Sequence, residues 1–425
     1  MSAHLFHVAE HIVPGQHIRE YPRATAHEQE DVLNLAVKQY TPLDNLDPQP
    51  GDVTIIGAHA NGFPKELYEP LWDEILDRSQ QHGFRIRSIW IADVVHQGDS
   101  GVLNERLLGN DPGWHDHARD LLHLINVKRD QMPRPIVGIG HSFGGGHLIS
   151  LSLMHPRLLT TLVLLDPVVV FLERPYGPET YEAARLSTWR RDIWPSRDEA
   201  AKSFRKSKFY AAWDSRVLDK WLQYGLRDLP TILYPDSTEG VQRVTLKTTK
   251  HQEVFTYSRP NFEGFERGHF DRKRHIDMEP EIAVNLKFVR PEPLDLFRRL
   301  PNLRPSVLYI FGGDSDLSTP EQRKAKMDVT GVGVGGSGGA KACKVQEVVL
   351  PGIGHLVAME AVGQCAESAA QWIDAELKIW NADEEEFRSL WAIRSFTEKT
   401  TIDEKWREMT GPLPGSSKAT EVPKL

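Results

Sequence analysis

The sequence predicts an α/β fold with a mostly parallel central sheet, helices on both faces and an inserted cap domain. Short strands that are apolar throughout alternate with helical segments, which is typical of a parallel sheet covered on both sides. A glycine-flanked serine, Gly140-x-Ser142-x-Gly144, joins one such strand to a helix. From about Val168 to about Pro301 the chain instead becomes rich in Trp, Tyr, Arg and Lys, which indicates an insertion.

The composition is that of a globular protein. Of 425 residues, 26% are charged and 40% hydrophobic. The net charge of −8 argues against a nucleic-acid partner. Only two cysteines are present, Cys343 and Cys365, so neither a disulfide framework nor a metal cluster is expected, and no cofactor is predicted. No apolar run approaches the roughly 20 residues of a membrane-spanning helix, so membrane insertion is not expected.

The alternation of strands and helices divides the chain into four parts. Residues 1–167 are the first part of the core, 168–301 the cap, 302–382 the second part of the core, and 383–425 a C-terminal helical extension with a targeting tail. The first three strands are expected to form an antiparallel edge. In order, the strands predicted for the core are Leu5 to Val13, His17 to Tyr21, Val32 to Tyr40, Val53 to Gly57, Arg85 to Ala92, Ile136 to Ile139, Leu162 to Leu165, Ser306 to Phe311 and Val345 to Leu350.

The cap is predicted to mix helices with a hairpin. Helices are expected from Ser196 to Lys208 and from Arg216 to Tyr224, and hairpin strands from Gln242 to Lys247 and from Glu253 to Tyr257. Most cap aromatics are expected to form the cap's own small core, with a few facing substrate. A basic cluster either meets the phosphates of a large acyl donor or is a solvated helix face; it comprises Arg190, Arg191, Lys202, Arg205, Lys206 and Lys208.

Ser142 is the predicted nucleophile. The apolar run Ile136 to Ile139 leads into the serine, and a helix-length apolar segment follows, which is the context of a nucleophile elbow. Gly140 and Gly144 supply the small residues that so tight a turn needs. A dinucleotide-binding turn is disfavoured because Phe143 occupies the position where that motif needs a small residue.

The oxyanion hole is predicted from two backbone N–H groups. One belongs to Phe143, the residue after the nucleophile. The other belongs to Asn61, in the loop His59-Ala60-Asn61-Gly62 that follows an early core strand.

His355 is the predicted general base, because it follows the last core strand in a turn of small residues. Two residues compete as the acid that orients it. Asp316 lies in the position where most hydrolases of the α/β-hydrolase fold carry their acid, and Asp166 lies one core strand earlier, where a minority carry it. Either choice preserves the chain order Ser…Asp…His of that fold. The residue pattern alone favours Asp316.

Nearly the whole chain resembles a fungal group of peroxisomal α/β-hydrolases of secondary metabolism. This group includes the acyl-CoA hydrolase of mycophenolic acid biosynthesis and hydrolase-like proteins of host-selective toxin pathways. The resemblance lies in Glu10 to Pro22 (EHIVPGQHIREYP), Phe63 to Glu74 (FPKELYEPLWDE), the Ser142 elbow and the ending Pro423-Lys424-Leu425.

The resemblance implies a serine-dependent thioesterase that acts on a bulky acyl-CoA and assembles as a homodimer. It also implies that Asp166, rather than Asp316, orients His355. Two alternatives remain open: a carboxylesterase or lactonase that cleaves a small ester, and a non-catalytic binding protein on a hydrolase fold.

The ending Pro423-Lys424-Leu425 is a variant of the peroxisomal address Ser-Lys-Leu. It predicts binding by the peroxisomal import receptor and a peroxisomal location; without it, a cytoplasmic location is expected.

Overall fold

The strands follow the predicted order through the core. A computed structural model of the protein describes residues 4–171, 182–235, 242–273 and 276–412. The strands are β1 Phe6–Pro14, β2 Asn34–Pro42, β3 Val53–Ala58, β4 Ile86–Ala92, β5 Ile136–His141, β6 Thr161–Leu165, β7 Ile193–Trp194, β8 Leu226–Asp228, β9 Val244–Leu246, β10 Arg259–Pro260, β11 Phe288–Val289, β12 Ser306–Gly312 and β13 Val345–Leu350.

Helices connect most of these strands. They are α1 Glu69–His82, α2 Gly98–Leu103, α3 Trp114–Val127, α4 Phe143–Met154, α5 Glu182–Trp189, α6 Arg197–Lys206, α7 Lys208–Ala211, α8 Ser215–Tyr224, α9 Lys250–Tyr257, α10 Phe262–Arg267, α11 Pro280–Ala283, α12 Glu292–Arg299, α13 Pro320–Val329, α14 Val357–Glu360, α15 Val362–Ala392, α16 Phe396–Thr400 and α17 Glu404–Thr410. Among the described residues, no helix combines the length and apolar character that crossing a membrane requires.

Eight strands form the central sheet, in the order β1-β2-β4-β3-β5-β6-β12-β13. The strands from β4 to β13 in this order pair in parallel, whereas β1 and β2 form the antiparallel edge. The predicted fold class is therefore confirmed. The strand predicted at His17 to Tyr21 is wrong: this segment is a loop in which Ile18 has a φ of 58°. The side chain of Arg19 turns inward there and donates two hydrogen bonds, of 3.0 and 2.8 Å, to Asp120.

Alternate side chains of the parallel strands enter two apolar cores, one on each face of the sheet. In β12, Leu308 and Ile310 face one core while Val307 and Tyr309 face the other. The first core is completed by α1 and α15, and the second by α3, α4 and α12. Because both faces are covered, the parallel strands are apolar throughout. Because the strands are parallel, their carboxyl ends lie at the same edge of the sheet.

The segment between β6 and β12 carries α5 to α12 and two small antiparallel sheets, β7-β9-β8 and β10-β11. The strand predicted at Glu253 to Tyr257 is wrong, since these residues lie in helix α9. The Oγ of Thr249 caps that helix by accepting a hydrogen bond from Gln252 N. Four aromatics of the segment are buried, but they belong to the same apolar cluster as α1 and α15 and do not form a separate small core; they are Trp194, Phe204, Trp213 and Trp221. Trp189 and Phe209 are exposed.

The chain divides into two compact units, Met1–Leu377 and Lys378–Leu425. The finer division at 168, 302 and 383 stays a prediction. In the second unit, the described part contains the end of α15 with α16 and α17. It exposes many large apolar side chains, among them Phe387, Leu390, Trp391, Ile393, Phe396, Trp406 and Met409.

Candidate active site

Ser142 occupies a strained turn between β5 and α4. Its φ of 56° and ψ of −117° lie outside the regions that residues with a side chain usually adopt. A Cβ on Gly144 would lie 2.1 Å from the carbonyl oxygen of Ala58, and one on Gly140 would lie 2.7 Å from the carbonyl oxygen of Gly144. Neither position can therefore hold a larger residue, which accounts for the glycines of the motif.

His355 reaches Ser142 from the loop between β13 and α14. Its Nε2 lies 2.8 Å from Ser142 Oγ, within hydrogen-bond distance. The loop packs closely against the end of β12, since a Cβ on Gly312 would lie 2.1 Å from the carbonyl oxygen of Gly354. The His355 side chain is 28% exposed, so a solute can approach the pair.

Asp166 contacts the other side of the His355 ring. Its Oδ2 lies 2.7 Å from His355 Nδ1, while Asp316 is exposed on the loop after β12. The structure therefore brings Ser142, His355 and Asp166 into one hydrogen-bonded series. Asp166 is buried and has a φ of 41°, a left-handed conformation that Asp tolerates better than most residues.

The loop after β12 holds the Asp166 carboxylate. Ser315 Oγ donates a hydrogen bond of 2.6 Å to Oδ2, and Ser318 Oγ donates one to Oδ1. Burial alone would raise the pKa of this carboxyl, but its bonds to His355 and the two serines hold the pKa below its ordinary value. Neither serine could be predicted, since no local pattern marks a hydroxyl that bonds to a residue about 150 positions earlier.

Of the two predicted oxyanion donors, Phe143 directly follows Ser142, and Asn61 lies in the loop after β3, the strand that pairs with β5. The N–H groups next to Asn61 are already used: Ala60 N donates to Tyr68 Oη at 2.8 Å, and Gly62 N donates to Gln97 Oε1 at 2.7 Å. Within the described part of the chain, the N–H groups of Asn61 and Phe143 have no hydrogen-bond partner. Phe143 begins α4, so the partial positive charge of the helix N-terminus adds to its N–H.

The segment inserted after β6 contacts the Asn61 loop directly. The side chain of Asn61 donates a 3.1 Å hydrogen bond to the carbonyl oxygen of Glu253 in α9. The Glu253 carboxylate in turn accepts 2.7 Å hydrogen bonds from Ser187 and Arg190, both from the segment. Phe63, two residues after Asn61, packs edge-on against Trp213 and Trp221.

One acidic cluster near this loop has the donor atoms of a cation site. Glu66, Asp93 and Asp99 bring their carboxylates within 4.8 Å of one another. The ammonium of Lys65 contacts all three, at 3.1, 2.7 and 2.9 Å respectively. Lys38, 3.1 Å from Glu66, and Lys247, 2.6 Å from Asp99, supply two further positive charges, so the cluster is an internal ion-pair network.

Two fungal thioesterases match this chain over 98% or more of its length. The type I acyl-CoA thioesterase mpaH' of Penicillium brevicompactum is 43% identical over 98% of both chains. The mpaH thioesterase of Penicillium roqueforti is 42% identical over 100% of both chains. The abhydrolase domain-containing protein ACTT2-1 of Alternaria alternata is 31% identical over 65% of this chain and 98% of its own. These relatives confirm the predicted resemblance.

The fold is shared with solved structures. The peroxisomal alpha-beta-hydrolase Lpx1 of Saccharomyces cerevisiae superposes with a TM-score of 0.67 at 20% identity, over 94% of this chain and 99% of its own. The profile of the Alpha/beta hydrolase family matches residues 55–368, which include Ser142, Asp166 and His355. The chain thus belongs to the alpha/beta hydrolase family.

Proposed function

We propose that the protein is a serine hydrolase that cleaves an acyl-CoA thioester through an acyl-enzyme. The hydrogen-bonded series Ser142–His355–Asp166 is the observation that carries the hydrolytic part of this proposal. The thioester part is supported by the relatives named acyl-CoA thioesterase, which match this chain from end to end.

In the first half-reaction, Ser142 Oγ attacks the thioester carbonyl carbon while its proton passes to His355 Nε2. The negative charge that develops on the carbonyl oxygen is stabilised by the N–H groups of Asn61 and Phe143. The C–S bond then breaks, and the sulfur takes the proton from His355, so that CoA leaves as its thiol. Asp166 stabilises the imidazolium formed in between and holds the ring in the required orientation.

In the second half-reaction, water replaces the thiol. His355 Nε2 takes a proton from the water as its oxygen attacks the acyl-enzyme carbonyl carbon, and the same N–H groups receive the oxyanion. When the C–Oγ bond breaks, the proton on His355 returns to Ser142 Oγ. The free acid leaves, and the hydrogen bonds of Ser142, His355 and Asp166 are restored.

The proposal predicts CoA release from acyl-CoA substrates. Purified protein is mixed with a panel of straight-chain, branched and aromatic acyl-CoAs, and free thiol is followed with a thiol-reactive dye. A matched panel of p-nitrophenyl esters of the same acids reports oxygen-ester cleavage. We expect at least one thioester to be cleaved with a higher kcat/KM than its oxygen ester.

Ser142→Ala is the control, because it removes the attacking oxygen and leaves the packing of the elbow unchanged. We expect it to release no CoA above background. Cleavage of oxygen esters without CoA release from any thioester would contradict the thioesterase proposal and favour a carboxylesterase or lactonase. Turnover of neither panel would favour a non-catalytic binding protein.

Contacts with the phosphates of CoA stay a prediction. Two cations of the basic cluster are neutralised by neighbouring acids, since Arg190 pairs with Glu253 and Lys202 pairs with Glu199. Lys206 and Lys208 are exposed, as an anion-binding role requires.

Peroxisomal import and self-association also stay predictions. The ending Pro423-Lys424-Leu425 lies outside the described residues. A homodimer is supported by the apolar side chains exposed between Phe387 and Met409, which a second subunit would cover. Neither prediction bears on the chemistry proposed for Ser142.

A further inference from the structure

A buried tyrosine and a buried histidine link the two loops on either side of Ser142. Tyr68 Oη accepts a hydrogen bond from Ala60 N at 2.8 Å and lies 2.9 Å from His141 Nδ1. His141 Nε2 lies 3.1 Å from the backbone carbonyl oxygen of His355. His141 has no exposed surface, and the proposed mechanism assigns a chemical step to neither residue.

The direction of each hydrogen bond follows from the donors available. Burial lowers the pKa of His141 to about 3, so its ring is neutral at neutral pH and carries a single N–H. A carbonyl oxygen only accepts, so that N–H must be on Nε2, facing His355. Nδ1 therefore accepts, and Tyr68 donates to it. Ala60 N only donates, so the hydroxyl proton of Tyr68 is not used there and is available for His141.

These three hydrogen bonds form a relay that runs in one direction, from Ala60 N–H through Tyr68 and His141 to the carbonyl of His355. Aligned bonds of this kind strengthen one another. The relay begins at Ala60, one residue before Asn61, and ends on the backbone of His355. His141, in the middle of the relay, directly precedes Ser142. The relay therefore connects the three loops that carry the proposed nucleophile, base and oxyanion donors.

We propose that Tyr68 and His141 are positioning residues, which hold the His355 loop and the Asn61 loop in register with Ser142. The inference rests on the serine-hydrolase function proposed above. Neither side chain touches the reacting atoms; each acts through a backbone group. A neutral His141 suits this place, because its ring centre lies 5.6 Å from that of His355 and a charged ring would repel the imidazolium formed during catalysis.

The rate at which a fluorophosphonate labels Ser142 tests the proposal without reference to any acyl-CoA. Tyr68→Phe keeps the ring and removes the donor to His141. We expect its second-order labelling rate, measured at a temperature at which the variant is fully folded, to fall about 10-fold, since small misplacements of reacting groups cost up to about 100-fold. Tyr309→Phe is the matched control: its buried hydroxyl bonds at 2.8 Å to Thr330, away from the site, and it should label like the wild type.

Two substitutions of His141 separate positioning from packing. Gln places an amide N–H near the position of Nε2 and can still donate to His355, whereas Asn places its amide near Nδ1 and cannot reach that carbonyl. We expect His141→Gln to label at least about 10-fold faster than His141→Asn. We also expect acyl-CoA turnover to lose kcat in the same order, with KM little changed.

Equal labelling of wild type, Tyr68→Phe and both His141 variants would overturn the positioning role. Labelling rates that rank with the melting temperatures of the variants, and not with the ability of each variant to donate a hydrogen bond to the His355 carbonyl, would overturn it as well. Failure of the wild type itself to label would instead overturn the serine-hydrolase function, so the two failures are distinguishable.

Discussion

Replacement of Asp166 by Asn should lower kcat by about 10⁴-fold, with KM little changed. The amide keeps the size of the carboxylate but carries no charge. It can also donate to His355 Nδ1, which leaves the ring proton on Nε2, so that Nε2 can no longer accept the proton of Ser142. Loss of the acid from comparable triads costs on this order. Steady-state turnover of the best acyl-CoA substrate, measured on protein of verified melting temperature, checks this expectation.

Asp316→Asn is the matched control, because the same change is made on the neighbouring strand end. Asp316 is exposed, and exposed substitutions away from special contacts rarely change stability by more than about 0.5 kcal/mol. We expect it to keep nearly full turnover. The reverse order, with Asp316→Asn inactive and Asp166→Asn active, would show that the acid follows β12 rather than β6.

The second large effect expected is acid unfolding below pH 6.5. Burial lowers the pKa of five histidines, to about 3 for two of them; they are His59, His96, His117, His141 and His147. These rings stay neutral in the folded chain but are protonated in the unfolded chain once the pH falls below 6.5. The unfolded state therefore takes up more protons, and the free energy of unfolding falls as the pH falls.

The size of the effect follows from proton counting. Asp116 works in the opposite direction, because burial raises its pKa to about 7 and its folded form binds a proton in this range. Each histidine that is neutral in the folded chain and protonated in the unfolded chain lowers the free energy of unfolding by up to about 1.4 kcal/mol per pH unit below pH 6.5, so five of them outweigh the single Asp116. Since domains are stable by only about 5–15 kcal/mol, we expect a large part of the stability at pH 7.5 to be lost by pH 5.5.

Urea unfolding at pH 7.5, 6.5 and 5.5 measures this slope. His147→Leu removes one ring that has no hydrogen-bond partner within the described residues. Relative to wild type, its free energy of unfolding should therefore rise by about 1 kcal/mol between pH 6.5 and pH 5.5. The exposed His251→Leu is the control and should keep the wild-type slope. A wild-type free energy of unfolding that is the same at pH 7.5, 6.5 and 5.5 would contradict this expectation.

Local patterns in the sequence were enough to predict the sheet and the elbow. Continuous apolar strands identify a sheet buried on both faces, and Gly140 and Gly144 are required by two close approaches of backbone to backbone. His355 was predictable because it follows the last strand in a turn of small residues. These features depend on neighbours in the chain, which the sequence displays.

The choice between Asp166 and Asp316 could not be made from the residue pattern alone. Strands β6 and β12 are adjacent and parallel in the sheet, so both aspartates follow strand ends at the same edge. Only side-chain placement separates them. The predicted strand at His17 to Tyr21 failed for a similar reason, since the inward turn of Arg19 depends on Asp120, about 100 positions later.

Intact-mass analysis after fluorophosphonate treatment tests most directly the claim that His355 and Asp166 activate Ser142. We expect the wild type to gain the mass of one adduct, which peptide mapping places on Ser142, and we expect Ser142→Ala to gain none. An adduct on a different residue, or a wild type that stays unmodified while correctly folded, would contradict the account.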